Sequence, residues 1–281
     1  MLTPYLASAR CHIPAERDVV HMAAVTSTLQ HSDGIFEAAI ARETLTRPLY
    51  DPILNDWHWR ILGLQRIVTI HEHCFLAPET LWLAASIFHR VFNTSSTAIM
   101  DIDITAAASL WIAAKYEEVI DTDSDDLSRI IGHGITSSKK IRDEEIRILF
   151  LLGFRVAQFS SPTLWIWRIL MGASSDLVLR RLSILLVNIT ITDQWFATRQ
   201  PRELAAISVY VAIRIIGGHW TSTSTTQSGY SEDDLRHGAL LVWDLLRSDE
   251  FASSVVFSVY SYGPSPANSA YVREWALTNS I

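Results

Sequence analysis

The chain has 281 residues, a formal net charge of -7, 49% hydrophobic and 19% charged residues, a length that fits about two ordinary domains and a composition that sets aside a disordered chain. Eleven glycines and nine prolines fall below the average usage of roughly 7% and 5%, which disfavours a turn-rich β-sandwich, collagen-like repeats and low-complexity linkers. A charged fraction under the usual quarter leaves two readings open: a large interior, or an apolar surface that a partner keeps covered.

Residues 1–30 show no sustained apolar period and read as a loosely ordered lead-in. Arg10, Glu16, Arg17 and Asp18 interrupt any apolar stretch there, so no secretory signal is expected. The run 33–40 then predicts a short helix with Asp33 as cap and Ile35, Phe36, Ala39 and Ile40 on one face, closed by Pro48 and Pro52. Helical runs follow over 56–73, 78–92, 103–118, 123–131 and 137–152, joined by the short polar connectors that bundles prefer. The second and third of these are apolar nearly all round, which predicts a place at the centre of a bundle.

Past Pro162 the pattern restarts. Ala107, Ala108, Ser109 and Ala113 are echoed by Ala205, Ala206, Ser208 and Ala212. Gly134-Ile135-Thr136 and Gly229-Tyr230-Ser231 are each a glycine stop, an apolar residue and a hydroxyl cap before an amphipathic helix, and Ser231 with Asp234 predicts a capping box. Two duplicated helical modules are the expectation.

No constellation points to catalysis, a metal or a cofactor. Asp121, Asp123, Asp125 and Asp126 alternate like the first ligands of a calcium loop, yet Asp126 stands where that loop needs glycine and Gly132 where it needs glutamate. Helix capping accounts for them, and a helical magnesium enzyme would need a second carboxylate-rich helix. His71, His73 and Cys74 do not share a helix face and predict a solvated helix end. Cys11 and Cys74 cannot build a disulfide framework or a four-cysteine zinc site. The apolar runs 104–114 and 182–192 are shorter than the roughly 18 to 20 residues of a membrane span. An acidic chain gains nothing from phosphate attraction, which argues against nucleic acid as partner. Lys115 stands apart, one of three lysines against twenty arginines, at the end of an apolar helix and just before Glu117 and Glu118. It reads either as a lysine snorkelling from a core helix or as a contact to a partner's backbone carbonyls.

The Ala113-Ala114-Lys115-Tyr116-Glu117-Glu118 run resembles the cyclin family. The likeness extends over 30–275. Trp59-Arg60-Ile61-Leu62 is similar to the opening of a cyclin box, 76–84 and 87–92 to its second helix, and 141–154 to its fifth. Pro162-Thr163-Leu164 is similar to the hinge before the second box, and Trp220 with 229–235 to that box's late helices. Residues 33–40 and 47–50 resemble the amino-terminal helix and lead-in of A- and B-type cyclins.

The resemblance implies an all-α chain of two tandem five-helix cyclin-fold bundles after a short N-terminal helix. Its parts would be a lead-in at 1–30, N-terminal helix and linker at 31–54, first box at 55–158, second box at 159–250 and C-terminal extension at 251–281. It implies a regulatory subunit, not itself an enzyme, that binds and activates a cyclin-dependent serine/threonine kinase in cell-cycle control, in the nucleus or cytoplasm, with no cofactor. Lys115 and Glu145 match the family's polar kinase contacts, and Ile112, Tyr116, Leu149, Phe154 and Val156 the apolar surface around them, with Ile35 and Phe36 adding to it. The substrate-docking patch corresponds to Trp59, Leu62, Gly63 and Arg66, where the family's aliphatic and tryptophan pattern is altered. Arg60 matches an arginine whose aspartate partner is replaced by His89, so its salt bridge is expected to be lost. A cyclin-fold transcription-related or DNA-binding factor is the alternative, distinguished by a basic face.

Overall fold

The structure is a computed structural model that describes residues 33–45, 49–51, 56–94, 101–118, 124–131, 138–171, 176–262 and 266–279. The lead-in, Pro48, Pro52, Asp121, Asp123 and the Gly134 stop lie outside these residues. Every element among the described residues is helical: α1 (Asp33–Leu45), α2 (Trp57–Cys74), α3 (Pro78–Thr94), α4 (Ile102–Glu117), α5 (Ser124–Ile131), α6 (Ser138–Leu151), α7 (Pro162–Leu170), α8 (Leu177–Ile189), α9 (Pro201–Ile215), α10 (Ser222–Ser228), α11 (Glu232–Arg247), α12 (Asp249–Ala252), α13 (Val255–Tyr260) and α14 (Ser269–Thr278).

The chain divides into two compact units, residues 1–40 and 41–281. In the first, the opening of α1 buries Phe36 and Ala39 and exposes Ile35 and Ile40. The second unit holds two bundles. In the earlier one α4 packs against α2, α3 and α6, and in the later one α9 packs against α7, α8 and α11. These are the two helices whose alanine pattern repeats. Residues 104–114 of α4 are all buried, as are 204–213 of α9. Small side chains permit close approach from every side, so a helix that is apolar all round is stable only with neighbours on every side.

Local signals set the helix ends. Asp101 caps α4 by accepting the Ile104 amide, Ser161 accepts the Thr163 amide ahead of Pro162, and Asp176 caps α8. Gly229 ends α10 at φ 77°. Ser231 and Asp234 then form the expected capping box, with the Ser231 amide donating to Asp234 Oδ2 at 2.8 Å. At 71–74 the expectation of a solvated helix end holds for His73, which is exposed, but not for His71. His71 is buried rather than solvated, and its Nε2–H donates to the Ala77 carbonyl at 2.9 Å, closing the turn after Phe75 at φ 53°. That turn folds the following residues over the helix end, which spacing on one helix cannot reveal.

The bundles are bolted together by buried polar contacts. Trp82 Nε1–H donates to Asn188 Oδ1 at 3.0 Å, and Thr163 Oγ1–H donates to Glu79 Oε1 at 3.0 Å. Glu43 in the last turn of α1 is buried and pairs with Arg202 at 3.7 Å. That guanidinium also lies over the Trp165 and Tyr230 rings. Burial pushes the Glu43 carboxyl above the usual range, opposed by the Trp165 hydrogen bond and Arg202. After the second bundle, α13 returns to pack on α2 of the first.

Candidate functional site

Lys115 lies in the last turn of α4 and Glu145 in the middle of α6. The packing of these two helices brings them together, and the Lys115 ammonium is ion-paired to the Glu145 carboxylate. The same ammonium rests 3.5 Å from the centre of the Trp111 ring, one turn earlier. Lysine here does not trail into solvent: a carboxylate and an aromatic face fix it, while a third of its side chain stays exposed. Neighbouring Glu144 is as enclosed as Glu145 and has its own partners. It accepts from Thr105 Oγ1–H at 2.6 Å and from Arg147, whose own pKa it raises by that hydrogen bond. Both acids thus tie α6 to α4, Glu144 through Thr105 and Glu145 through Lys115. Glu118 has a structural task, accepting the Ala77 amide and the Thr80 hydroxyl, both at 2.7 Å, at the start of α3.

Around this pair lies an uncovered apolar surface. Tyr116 and Phe154 are 58% and 62% exposed, whereas Leu149 and Val156 are half-buried. Ile112 is buried beneath them, and Phe36 is also buried, so neither side chain is presented at the surface; Ile35 is exposed. Two residues that sequence reasoning missed are exposed on the same helix as Glu145: Ile146 at 54% and Phe150 at 70% exposure, one turn apart on α6. Phe150 meets Phe154 edge to face at 5.4 Å. The signal was present in α6, where Ile141 and Ile148 already supply the buried face and further apolar residues have no interior to enter.

Phe154 stands in an unusual backbone conformation. Gly153 and Phe154 have φ of 57° and 58°, consecutive left-handed residues after α6. For phenylalanine such a conformation costs on the order of 1 kcal/mol or more and persists only where surroundings hold it.

At the other end of the first bundle, Arg60 is fully buried and its five N–H donors are all used. Nε and Nη2 donate to the two carboxylate oxygens of Asp56 at 2.7 and 3.0 Å. Nη2 also reaches Asn93 Oδ1 at 2.8 Å, and Nη1 reaches the His89 carbonyl at 3.2 Å and His89 Nδ1 at 3.0 Å. The expected loss of the salt bridge is therefore corrected: His89 contributes no charge, and Asp56, one helical turn before Arg60, supplies the missing carboxylate. Because a guanidinium only donates, His89 Nδ1 accepts and the ring is neutral. Burial, reinforced by the Arg60 charge, lowers its pKa to about 3.

The four residues matched to a docking patch do not form an apolar cleft. Trp59 and Leu62 are half-exposed, but Gly63 is buried against the Phe88 ring and Arg66 pairs with Asp103 at 2.8 Å. Beside them is a cavity of about 420 Å³ lined by Leu62, Gln65, Arg66, Thr69, Asp103 and Val255 among others. A Cβ on Gly63 would stand 2.0 Å from Phe88 Cζ. Gly63→Leu is thus expected to lower stability by about 3 kcal/mol in urea unfolding, with part regained when Phe88→Ala is added.

The family model for the cyclin N-terminal domain matches residues 35–157, and that for the cyclin C-terminal domain matches 161–270. The chain is 27% identical over 237 residues to the G2/mitotic-specific cyclin-B of Emericella nidulans, covering 83% of this chain and 49% of that protein. It is 26% identical to the G2/mitotic-specific cyclin cig1 of Schizosaccharomyces pombe, covering 79% and 54% of the two. The chain spans about half the length of these curated relatives. Among solved structures, a chain of the yeast RNA Pol II CTD kinase CTDK-1 complex shares the fold, with a TM-score of 0.57, 14% identity and coverage of 80% of this chain and 74% of that one. A pair of all-helical bundles, each built round a third helix buried over most of its length and each matched by its own domain model, makes this chain a member of the cyclin family.

Proposed function

We propose that the chain is the regulatory subunit of a cyclin-dependent serine/threonine protein kinase in cell-cycle control, without catalysis of its own. The observation that carries this reading is the set of exposed apolar side chains on the two helices that hold the Lys115–Glu145 pair: Tyr116 next to Lys115, and Ile146, Phe150 and Phe154 on and just beyond α6. A soluble chain gains nothing from four large exposed apolar groups beside one ion pair unless a partner covers them, and aromatic anchors around a few charges are the anatomy of an energetic hot spot. Membership of the cyclin family and the mitotic cyclins among the relatives support a kinase as that partner.

On this reading the surface receives the kinase's mobile regulatory helix. It holds that helix where its glutamate pairs with the ATP-coordinating lysine, an ion pair on which phosphoryl transfer depends. Lys115, already oriented by Trp111 and Glu145, has further N–H donors for backbone carbonyls of the partner. The division into a first box at 55–158, a second at 159–250 and an extension from 251 belongs to the same proposal, as does action in the nucleus or cytoplasm. No helix among the described residues is long and apolar enough to cross a membrane.

The purified chain, mixed with purified cyclin-dependent kinases, is expected to give a one-to-one complex on gel filtration with at least one of them. It should also switch on that kinase's peptide phosphorylation. Failure to bind or activate any of them would overturn the proposal, and salt-sensitive binding to duplex DNA would favour the alternative of a DNA-binding factor.

A further inference from the structure

Two apolar residues of the proposed kinase-facing surface, Phe154 and Val156, lie beyond α6 in a turn, so something must hold that turn in place. Its amides bond within the turn or back to the helix. Gly153 N–H donates to the Phe150 carbonyl at 3.1 Å, Phe154 N–H to Leu149 at 2.9 Å, Arg155 N–H to Leu152 at 3.2 Å and Val156 N–H to Phe154 at 3.1 Å. The carbonyls of Arg155 and Val156 have a different partner. Arg90, in the last turns of α3, donates Nη2–H to the Arg155 carbonyl at 2.6 Å and Nη1–H to the Val156 carbonyl at 3.0 Å. One planar fork thus spans two successive peptide groups, a geometry that a lysine ammonium cannot reproduce.

Arg90 spends its charge in an unusual way. No carboxylate pairs with it among the described residues, and burial together with the nearby Arg155 charge lowers its pKa. A half-buried guanidinium answered only by backbone dipoles is costly unless its position is needed. The turn it grips contains the left-handed Gly153 and Phe154, a conformation that relaxes once released.

We propose that Arg90 is a positioning residue for partner binding: its guanidinium clamps the turn 153–156 so that Phe154 and Val156 remain on the kinase-facing surface. This inference rests on the kinase reading for its consequence, and on the turn's own geometry for its cause. Arg90 lies on a different helix from every residue assigned to that surface and acts through them.

The test uses the full chain with Arg90→Gln, Arg90→Lys, Phe154→Ala and the Arg90→Gln/Phe154→Ala double variant. Arg90→Gln is expected to weaken kinase binding about tenfold or more alone, yet less than about twofold when Phe154 is already alanine, since the clamp then has little left to present. Arg90→Lys should fall between wild type and Arg90→Gln. Equal weakening in both backgrounds, or none where Lys115→Glu abolishes binding, would overturn the proposal. Amide hydrogen exchange separates the clamp from the kinase reading. Arg90→Gln should speed exchange at residues 153–156 about tenfold while leaving 106–113 of α4 unchanged, whether or not a kinase binds. Unchanged exchange in the turn refutes the clamp outright, whereas faster local exchange in a chain that binds no kinase sinks the functional reading instead.

Discussion

Reversing the charge of Lys115 to glutamate, or of Glu145 to lysine, is expected to abolish capture of a cyclin-dependent kinase while leaving the circular dichroism of the chain unchanged. The two halves of that expectation differ in magnitude for a physical reason. The Lys115–Glu145 pair lies at the surface, with 36% and 15% of the side chains exposed, so its loss costs folding about 0.2–1 kcal/mol. A charge at the centre of an aromatic patch that becomes desolvated on binding is worth about 2 kcal/mol or more, roughly thirtyfold in affinity. Each reversal also places two like charges side by side. The double exchange Lys115→Glu/Glu145→Lys restores the internal pair but presents the partner with the wrong sign at both positions. It should recover thermal stability without recovering binding. Full binding by the double exchange, measured by calorimetry, would show that these residues only brace α4 against α6.

Acid lability is the second large effect, and it originates at His89. In the unfolded chain this imidazole takes a proton near pH 6.5, but in the fold burial beside Arg60 lowers its pKa to about 3. Between those values the unfolded state binds the more protons. The stability contributed by neutral His89 is therefore complete above pH 6.5 and drains away as pH falls toward 3. At about 1.4 kcal/mol per pH unit the loss approaches roughly 5 kcal/mol, a large part of the 5–15 kcal/mol that holds most domains. His89→Asn offers an amide oxygen where Nδ1 now accepts from Arg60 and carries no titrating group. Urea midpoints from pH 7.5 to 5 should fall in the wild type with about one proton's extra slope relative to His89→Asn. Parallel slopes would exclude His89 as the source. The variant itself should be somewhat less stable at neutral pH, because it gives up the stacked contact with Trp57 at 6.0 Å.

What could be read from sequence divides along one line. Helices such as α4 and α9 announce themselves, since a run apolar on every side has only one stable placement. The capping box at Ser231 and the seam at Pro162 are equally local and equally legible. The fold's cyclin character was visible in the Ala113–Glu118 run and its spaced partners. Pairings across helices were not. Nothing in the order of residues says that Asp56 replaces the absent aspartate at position 89, that Ile112 and Phe36 turn inward, or that His71 closes a buried turn. Each depends on which neighbour arrives from elsewhere in the chain. The altered docking patch was legible as a change of residue types, but that Gly63 makes room for Phe88 emerges only when α2 and α3 are seen packed.

The return of α13 onto α2 has a consequence for how the molecule is made. Residues 57–74 of the first bundle are covered in part by residues 255–260, so that face stays bare while everything between is being synthesised. At typical rates of translation this interval lasts about 10 to 40 s, long compared with helix formation and collapse. The nascent first bundle thus emerges with part of α2 open to water and to other chains. Escorting by chaperones in that window, and sensitivity to ribosome stalling within the second bundle, follow from where one short helix chooses to pack.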